Sequence, residues 1–216
     1  MKKQDFYRRH LPHLQLPNQT YFVTWLLNGA LPRYTIRRIV KQNLGERNQL
    51  DKVFLESTEL NRLIQSNYFN EFDQKLNHVV KGSHYLRKSV IAEIVSNSLH
   101  YWDNKRIDLI CYCIMSNHVH VLFSLYETNE DGEKNYMIDI VESIKKFSAR
   151  ECNKILGKKG PFWQHESYDR LIRDREELYR TIIYILENPV QAGYCKSRSE
   201  YKWSYIKPEY QDLAID

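Results

Sequence analysis

Two histidines one residue apart are the side chains of this sequence best suited to bind a metal ion. They lie in the triplet His118-Val119-His120, after a Ser116-Asn117 turn that separates two apolar segments. Alternate residues of a β-strand project from the same face, so the two imidazoles would lie side by side. Imidazole suits several divalent ions, and a metal with open positions can polarise a phosphoryl oxygen. Two hydrogen-bonded, partly buried histidines without a metal are the simpler alternative.

A segment further along the chain predicts a helix with a tyrosine on its polar side. It begins at Asp174, has Glu177 three residues later in a capping-box pattern, and is expected to end at Pro189. Tyr184 falls opposite the leucine and isoleucine stripe, and Asn188 lies one turn further along the same face. A tyrosine that only fills a core should lie on the apolar stripe. This position therefore indicates either a reactive tyrosine or an exposed surface tyrosine.

These motifs occur together in an order that resembles a known family. The histidine triplet is followed by Phe162-Trp163-Gln164, by Ile172-Arg173-Asp174 and by a Tyr-x-x-x-Asn-Pro run that begins at Tyr184. The order is similar to that of the single-tyrosine HUH transposases, and in particular the REP-associated tyrosine transposases, named after repetitive extragenic palindromes. The resemblance extends from Tyr21 to Trp203 and is least clear in residues 31–85.

The resemblance implies a metal-dependent enzyme that cleaves single-stranded DNA and transfers the cut strand through a covalent 5′-phosphotyrosine. The implied substrate is hairpin-forming DNA, and the implied cofactor is Mg²⁺ or Mn²⁺. A monomer is the expected form, with a dimer as the alternative. The predicted site residues are Tyr184 as the nucleophile, His118, His120 and Asn188 as metal ligands, and His165 and Gln164 as auxiliary groups.

Basic residues outside this site are candidates for DNA contact. The chain has a formal net charge of +5 and 16 tyrosines, which fits nucleic acid because cations pair with phosphates and rings stack on unpaired bases. An ordinary basic enzyme fits the same charge. Related sequences often have a histidine at the position of Arg170, so the role of that position stays open. The candidate DNA contacts are Lys145, Lys146, Arg150, Lys158, Lys159 and Arg173.

The order of the predicted elements indicates an α+β fold. Predicted strands cover residues 21–27, 107–115, 118–125 and 168–172, and predicted helices cover residues 87–102, 138–156 and 174–189. The order is βαββαβ with one extra helix, a ferredoxin-like (RRM-like) antiparallel sheet with helices on one face. The resemblance implies the same fold. The face that bears the two histidines could then meet the final helix.

The length and composition limit the number of domains and the class of protein. Its 216 residues fit a single domain, with a helical insertion expected at residues 31–85 that either contacts DNA or only packs. The four cysteines have no zinc-like spacing. No apolar run is long enough to span a bilayer and no signal peptide is visible, so we expect a cytoplasmic protein without a membrane partner.

Two other classes of function fit parts of this pattern. One is a non-catalytic single-stranded nucleic-acid-binding protein with an RRM-like sheet, in which Tyr184 and the two histidines would have no purpose. The other is a metal-dependent hydrolase that activates water without a covalent tyrosine. Such a site usually needs further acidic or histidine ligands, and none follows within a few residues of His120. A covalent adduct between protein and DNA would separate the three hypotheses.

Overall fold

A computed structural model describes residues 6–8, 12–14, 16–30 and 82–215 of the chain. The chain divides into two compact units, one formed by Met1–Asn28 with His84–Asp216 and the other by Gly29–Ser83. The predicted helical insertion at residues 31–85 lies almost entirely outside the described residues and stays a prediction. The strands and helices that follow all belong to the first unit.

The described part of the first unit combines seven strands with three α-helices and three short 3-10 helices. The strands are β1 (Phe6–Arg8), β2 (Pro12–Leu14), β3 (Thr20–Leu27), β4 (Ile107–Ile114), β5 (His118–Leu125), β6 (Trp163–Ile172) and β7 (Ser204–Ile206). The α-helices are α1 (Ser89–His100), α2 (Met137–Leu156) and α3 (Arg175–Gln191), and the 3-10 helices are Tyr85–Arg87, Arg198–Glu200 and Pro208–Ala214.

Five strands form one antiparallel sheet in the order β6-β3-β5-β4-β7, and β1 pairs with β2 in a separate hairpin. Without β7, the order is fourth, first, third, second in the chain, which is the ferredoxin-like arrangement and confirms the predicted fold class. The inner strands β3 and β5 are buried along almost their whole length. Strands that are buried on both sides, with few polar residues, are expected where both faces of a sheet are covered.

The helices cover the sheet from two sides. On one face, the Tyr112 hydroxyl shares a hydrogen bond of 2.7 Å with Ser96 of α1. On the same face, Trp163 Nε1 donates to Ser148 Oγ of α2 at 2.9 Å. The added helix, α3, lies on the opposite face, where its Tyr184 packs against His120. The final helix therefore meets the histidine face, as the element order predicted.

The sequence predicted the N-terminal end of α3 correctly but not its C-terminal end. Asp174 is the N-cap, and its Oδ1 accepts a hydrogen bond from the Glu177 N–H at 2.7 Å. The expectation that Pro189 ends the helix is wrong, because the helix continues to Gln191. A proline removes one donor from the helical ladder, and the Ala192 N–H still donates to the carbonyl one turn earlier at 2.9 Å.

The C-terminal part of the chain adds an edge strand that the sequence did not indicate. The strand β7 has only three residues and pairs with β4, where Tyr112 lies opposite Tyr205. Their rings stack with centroids 5.4 Å apart. Three residues are too few to show strand periodicity in the sequence. None of the helices in the described part of the chain has the length and apolar character needed to cross a bilayer.

Candidate active site

The two histidines of β5 are fully buried and face each other. Their Nε2 atoms lie 3.0 Å apart, and neither side chain has exposed surface. His118 Nδ1 lies 2.6 Å from Oδ1 of Asn117 in the preceding turn. His120 Nδ1 lies 2.7 Å from Oγ1 of Thr24, its cross-strand partner on β3. The outer ring nitrogens are therefore hydrogen-bonded, while the inner nitrogens converge.

These hydrogen bonds settle the tautomer of His118 and leave that of His120 open. An amide oxygen can only accept, so His118 carries its proton on Nδ1 and has a lone pair on Nε2. The Thr24 hydroxyl can donate or accept, so His120 can adopt either tautomer. In one tautomer, His120 Nε2–H donates to His118. In the other, both Nε2 atoms carry lone pairs and could bind one cation together.

Burial keeps both histidines neutral. It lowers the pKa of His118 to about 3, with a smaller electrostatic contribution from His84. Burial also holds the pKa of His120 well below its usual value, and His118 adds to this effect. Neutral imidazole is the form that binds metal ions. The pair is thus in its metal-binding form near neutral pH.

Tyr184 of α3 lies beside this pair. Its ring meets the His120 ring edge to face, with centroids 5.9 Å apart, and meets the Phe22 ring at the same distance. Phe22 also stacks on His120, with centroids 5.5 Å apart. The Tyr184 hydroxyl is buried and has no hydrogen-bond partner among the described residues. This environment differs from that of an exposed surface tyrosine.

Asn188 lies one turn after Tyr184 and is also buried, with 2% of its surface exposed. Its Nδ2 donates to the Tyr184 carbonyl at 3.0 Å, which orients the amide group on the tyrosine side of the helix. Thr181, three residues before Tyr184, is buried as well. Thr181 and Asn188, which flank Tyr184 on the polar side of α3, therefore face the protein interior, whereas Arg180 on the same side is exposed.

The donor set fits a divalent cation. The two Nε2 atoms lie 3.0 Å apart, a separation that suits a hydrogen bond between the rings and equally suits two adjacent ligands of an octahedral ion with bonds of about 2.1 Å. A buried hydroxyl without a partner costs about 1–3 kcal/mol, and a phosphate oxygen that reached Tyr184 would remove this cost. No cluster of three or more His, Cys, Asp or Glu side chains suited to a metal occurs in residues 16–30 and 82–215. Further ligands would therefore be amide, phenol or substrate oxygens.

The two auxiliary candidates lie on β6. The side chain of His165 is 78% exposed, and its Nδ1 lies 3.5 Å from Glu166 Oε1. Gln164, one residue earlier, is half-buried. Because Phe22 and His120 are the ring neighbours of Tyr184, the structure brings Tyr184 to the histidine pair rather than to His165.

The predicted DNA contacts differ in how accessible they are. Lys145 of α2 is engaged within the protein, since its Nζ donates to the His165 carbonyl and to the Ser167 hydroxyl, each at 3.0 Å. The helix α2 lies on the sheet face away from the histidines. The remaining candidates have exposed side chains, namely Lys146 and Arg150 on α2, Lys158 and Lys159 after it, and Arg173 before α3.

Three residues that surround the site were not assigned a role from the sequence. They are Phe22, Thr24 and Arg170, which lie on β3 and β6. Thr24 pairs with His120, and Phe22 pairs with Arg170, so all three share the histidine face. Strand alternation shows which residues of one strand share a face. Only the pairing of β3 with β5 and β6 shows which strands supply the neighbours.

Comparisons with known proteins point to one family. The family described as Transposase IS200 like matches residues 67–187, more than half of the chain. That range contains both histidines and Tyr184, and it ends one residue before Asn188. A protein of Haemophilus influenzae named as a REP-associated tyrosine transposase is 30% identical over 105 residues, which cover 45% of this chain and 57% of that protein. The match thus spans little more than half of the relative's length.

A solved structure gives the same indication for the fold. It is that of a REP-associated tyrosine transposase bound to a REP hairpin, and the similarity has a TM-score of 0.51 at 16% sequence identity. The match covers 94% of this chain and 82% of that chain. At this level of identity, the similarity concerns the fold alone.

Proposed function

Because this chain belongs to the IS200-like transposase family, we propose that it cleaves single-stranded DNA and transfers the cut strand through a covalent phosphotyrosine on Tyr184. One observation carries the proposal. The buried Tyr184 hydroxyl has no hydrogen-bond partner among the described residues, and the Tyr184 ring packs against His120 of the neutral histidine pair. A tyrosine next to metal-binding groups is suited to attack a phosphodiester.

The residues of the site have separate tasks. His118, His120 and Asn188 would hold Mg²⁺ or Mn²⁺, which when bound would withdraw charge from a phosphate oxygen and favour attack on phosphorus. Asn117 and Thr24 hold the two imidazoles through their outer nitrogens. This support fixes the orientation of both rings, and for His118 it also leaves the lone pair on Nε2, as hydrogen bonds to metal-binding histidines do in general.

The covalent step exchanges one phosphorus–oxygen bond for another. The Tyr184 oxygen bonds to phosphorus while the bond from phosphorus to the 3′ oxygen breaks. The phenol loses its proton and the departing 3′ oxygen gains one, which leaves a 5′-phosphotyrosine and a free 3′-hydroxyl. An ordinary tyrosine has a pKa of about 10, so deprotonation must be assisted. Attack by a second 3′-hydroxyl reverses the exchange and joins the strands without an external energy source.

Hairpin-forming DNA is the substrate class that we propose. The structurally similar transposase was solved with a REP hairpin, and the formal charge of +5 on this chain suits a phosphate backbone. We also propose that each tyrosine serves the histidine pair of its own chain, because the Tyr184 and His120 rings are in contact within one chain. A monomer is then sufficient for cleavage.

A covalent adduct tests the proposal directly. The protein is incubated with Mn²⁺ or Mg²⁺ and a panel of 3′-labelled single-stranded hairpins, and the products are separated on a denaturing gel. The 3′ label is needed because the 5′-phosphotyrosine retains the fragment downstream of the cut. We expect a protease-sensitive band of reduced mobility with the wild type and none with Tyr184→Phe. Tyr179→Phe on the same helix is the matched control and should retain the band.

The same gel distinguishes the alternative functions. DNA cleavage that persists in Tyr184→Phe without an adduct would indicate a hydrolase that activates water. Binding of many hairpins without cleavage would indicate a non-catalytic nucleic-acid-binding protein. Loss of the adduct in His118→Ala, with binding retained, would support the histidine pair as part of the catalytic site.

A further inference from the structure

Arg170 lies on the same sheet face as the histidine pair. It is the cross-strand partner of Phe22, and directly paired residues share a face. Its guanidinium carbon lies 5.7 Å from the centre of the Phe22 ring. The same ring packs against both His120 and Tyr184. A positive charge is therefore placed one aromatic ring away from the proposed nucleophile.

A hydrogen bond also connects Arg170 to the helix that carries the tyrosine. Its Nη2 donates to Thr181 Oγ1 at 3.2 Å. Thr181 precedes Tyr184 by three residues and lies on the same side of α3, about one helical turn away. The strand that carries Arg170, β6, is at the edge of the sheet. A strand of DNA that reached Tyr184 across this edge would pass the guanidinium.

The Arg170 side chain is largely buried, and its guanidinium is incompletely hydrogen-bonded. Its Nε has no hydrogen-bond partner among the described residues, although Glu177 Oε1 lies 3.5 Å away as an ion-pair partner. Glu177 is shared, since its other oxygen accepts from the Arg173 N–H at 3.1 Å. Only 22% of the Arg170 side chain is exposed. Buried charged donors are normally hydrogen-bonded, so this group retains capacity for a further anion.

We propose that Arg170 binds a backbone phosphate of the DNA strand beside Tyr184. The proposal rests on the proposed function, because it assumes that DNA reaches this face of the sheet. A guanidinium presents donors in a planar fork that matches two phosphate oxygens, which an ammonium group cannot reproduce. Contact with the phosphate would give the guanidinium the anionic partner that its shared ion pair with Glu177 supplies only in part, and would hold the strand near the tyrosine. A purely structural ion pair with Glu177 is the competing explanation.

The salt dependence of DNA binding tests this contact. Hairpin affinity is measured at several salt concentrations in Tyr184→Phe protein, where binding is separated from cleavage. Each phosphate contact to a single strand contributes about 0.7 to the slope of log affinity against log salt. We expect Arg170→Gln to reduce the slope by about that amount and to weaken binding about tenfold. Arg170→Lys should retain the slope.

Arg180→Gln is the matched control for lost charge. Arg180 is exposed on α3 and pairs with Glu176 at 2.9 Å, and its substitution should leave the slope unchanged. A lower unfolding midpoint for Arg170→Gln with an unchanged slope would overturn the proposal and establish the structural ion pair.

A second pair of variants keeps the arginine and removes its competitor. Glu177→Gln frees the Arg170 guanidinium from its ion pair, so we expect tighter DNA binding than in the matched variant Glu176→Gln. Equal affinity in these two variants would count against the phosphate contact, even if Arg170→Gln does not fold.

Adduct formation by the wild type is measured in parallel. It separates the proposal of strand cleavage through Tyr184 from the proposal of the Arg170 contact. Adduct formation together with an unchanged slope in Arg170→Gln would overturn the Arg170 contact alone. A reduced slope without any adduct would support the contact and overturn strand cleavage.

Discussion

The outer nitrogens of the histidine pair are held by neighbouring side chains, and the inner nitrogens converge. Asn117 and Thr24 bond the outer nitrogens, and the inner nitrogens lie 3.0 Å apart. The pKa of His118 is lowered to about 3, mainly by burial, so the pair carries no charge that would repel a cation near neutral pH. The two rings therefore form a preorganised pair of nitrogen ligands.

Thr24→Val tests whether the hydrogen bond to the outer nitrogen of His120 contributes to metal affinity. The substitution retains the side-chain shape but removes the hydroxyl that holds His120. We expect Mn²⁺ affinity to fall about 10- to 100-fold, as is usual when a supporting group of a metal-binding histidine is lost. Titration calorimetry without DNA measures this affinity directly.

Two controls accompany the Thr24 experiment. Thr24→Ser retains a hydroxyl and should bind Mn²⁺ nearly as well as the wild type. Thr20→Val removes a hydroxyl from the same strand, where it bonds Ser124 at 2.7 Å, and should leave the affinity unchanged. Equal affinity of Thr24→Val and the wild type would show that Thr24 does not position a metal ligand.

At the scale of elements, contacts of the chain after α3 hold this helix, and with it Tyr184, beside β5. After the helix, the Tyr194 hydroxyl donates to Ser116 Oγ at 2.9 Å, and Ser116 lies in the turn that leads into His118. Near the same end, Glu187 forms an ion pair of 2.6 Å with Arg198. The chain beyond the helix is therefore bonded to the turn that begins the histidine strand, which fixes the helix relative to the site.

The N-cap of α3 gives a prediction about stability. Asp174→Ala removes the acceptor for the Glu177 N–H, and we expect the free energy of unfolding to fall by about 1 kcal/mol. Asp174→Asn keeps a side-chain oxygen and should lose less. Urea unfolding of the three proteins measures the difference. If Asp174→Ala is as stable as the wild type, the cap does not stabilise the helix that carries the tyrosine.

At the scale of the whole molecule, the tyrosine and the histidines meet within one chain. We expect an equimolar mixture of Tyr184→Phe and His118→Ala to form no DNA adduct, because neither chain has a complete site. The denaturing gel described for the adduct measures this. Wild type diluted with Tyr184→Phe should form adduct in proportion to the wild type present. Recovery of the adduct in the first mixture would mean that α3 exchanges between chains.

The sequence determined much of the fold and the chemical character of the site. Apolar segments predicted β4 and β5, and apolar residues at helical spacing predicted α2, each to within one residue at each end, because a pattern that extends over many residues is a strong signal. The motif order also predicted the family, which the match to residues 67–187 confirms. The three-residue strand β7 and the continuation of α3 beyond Pro189 had no comparable signal.

Tertiary structure alone decided which side chains surround the histidines and the tyrosine. Thr24 and His120 are 96 residues apart in the chain, and Phe22 reaches Arg170 only through the register of β3 with β6. If β6 shifted by one residue relative to β3, Arg170 would turn to the other face and would no longer lie beside Phe22. Local sequence patterns show the face of a residue within its own strand, whereas its neighbours depend on long-range pairing that packing of the whole sheet selects.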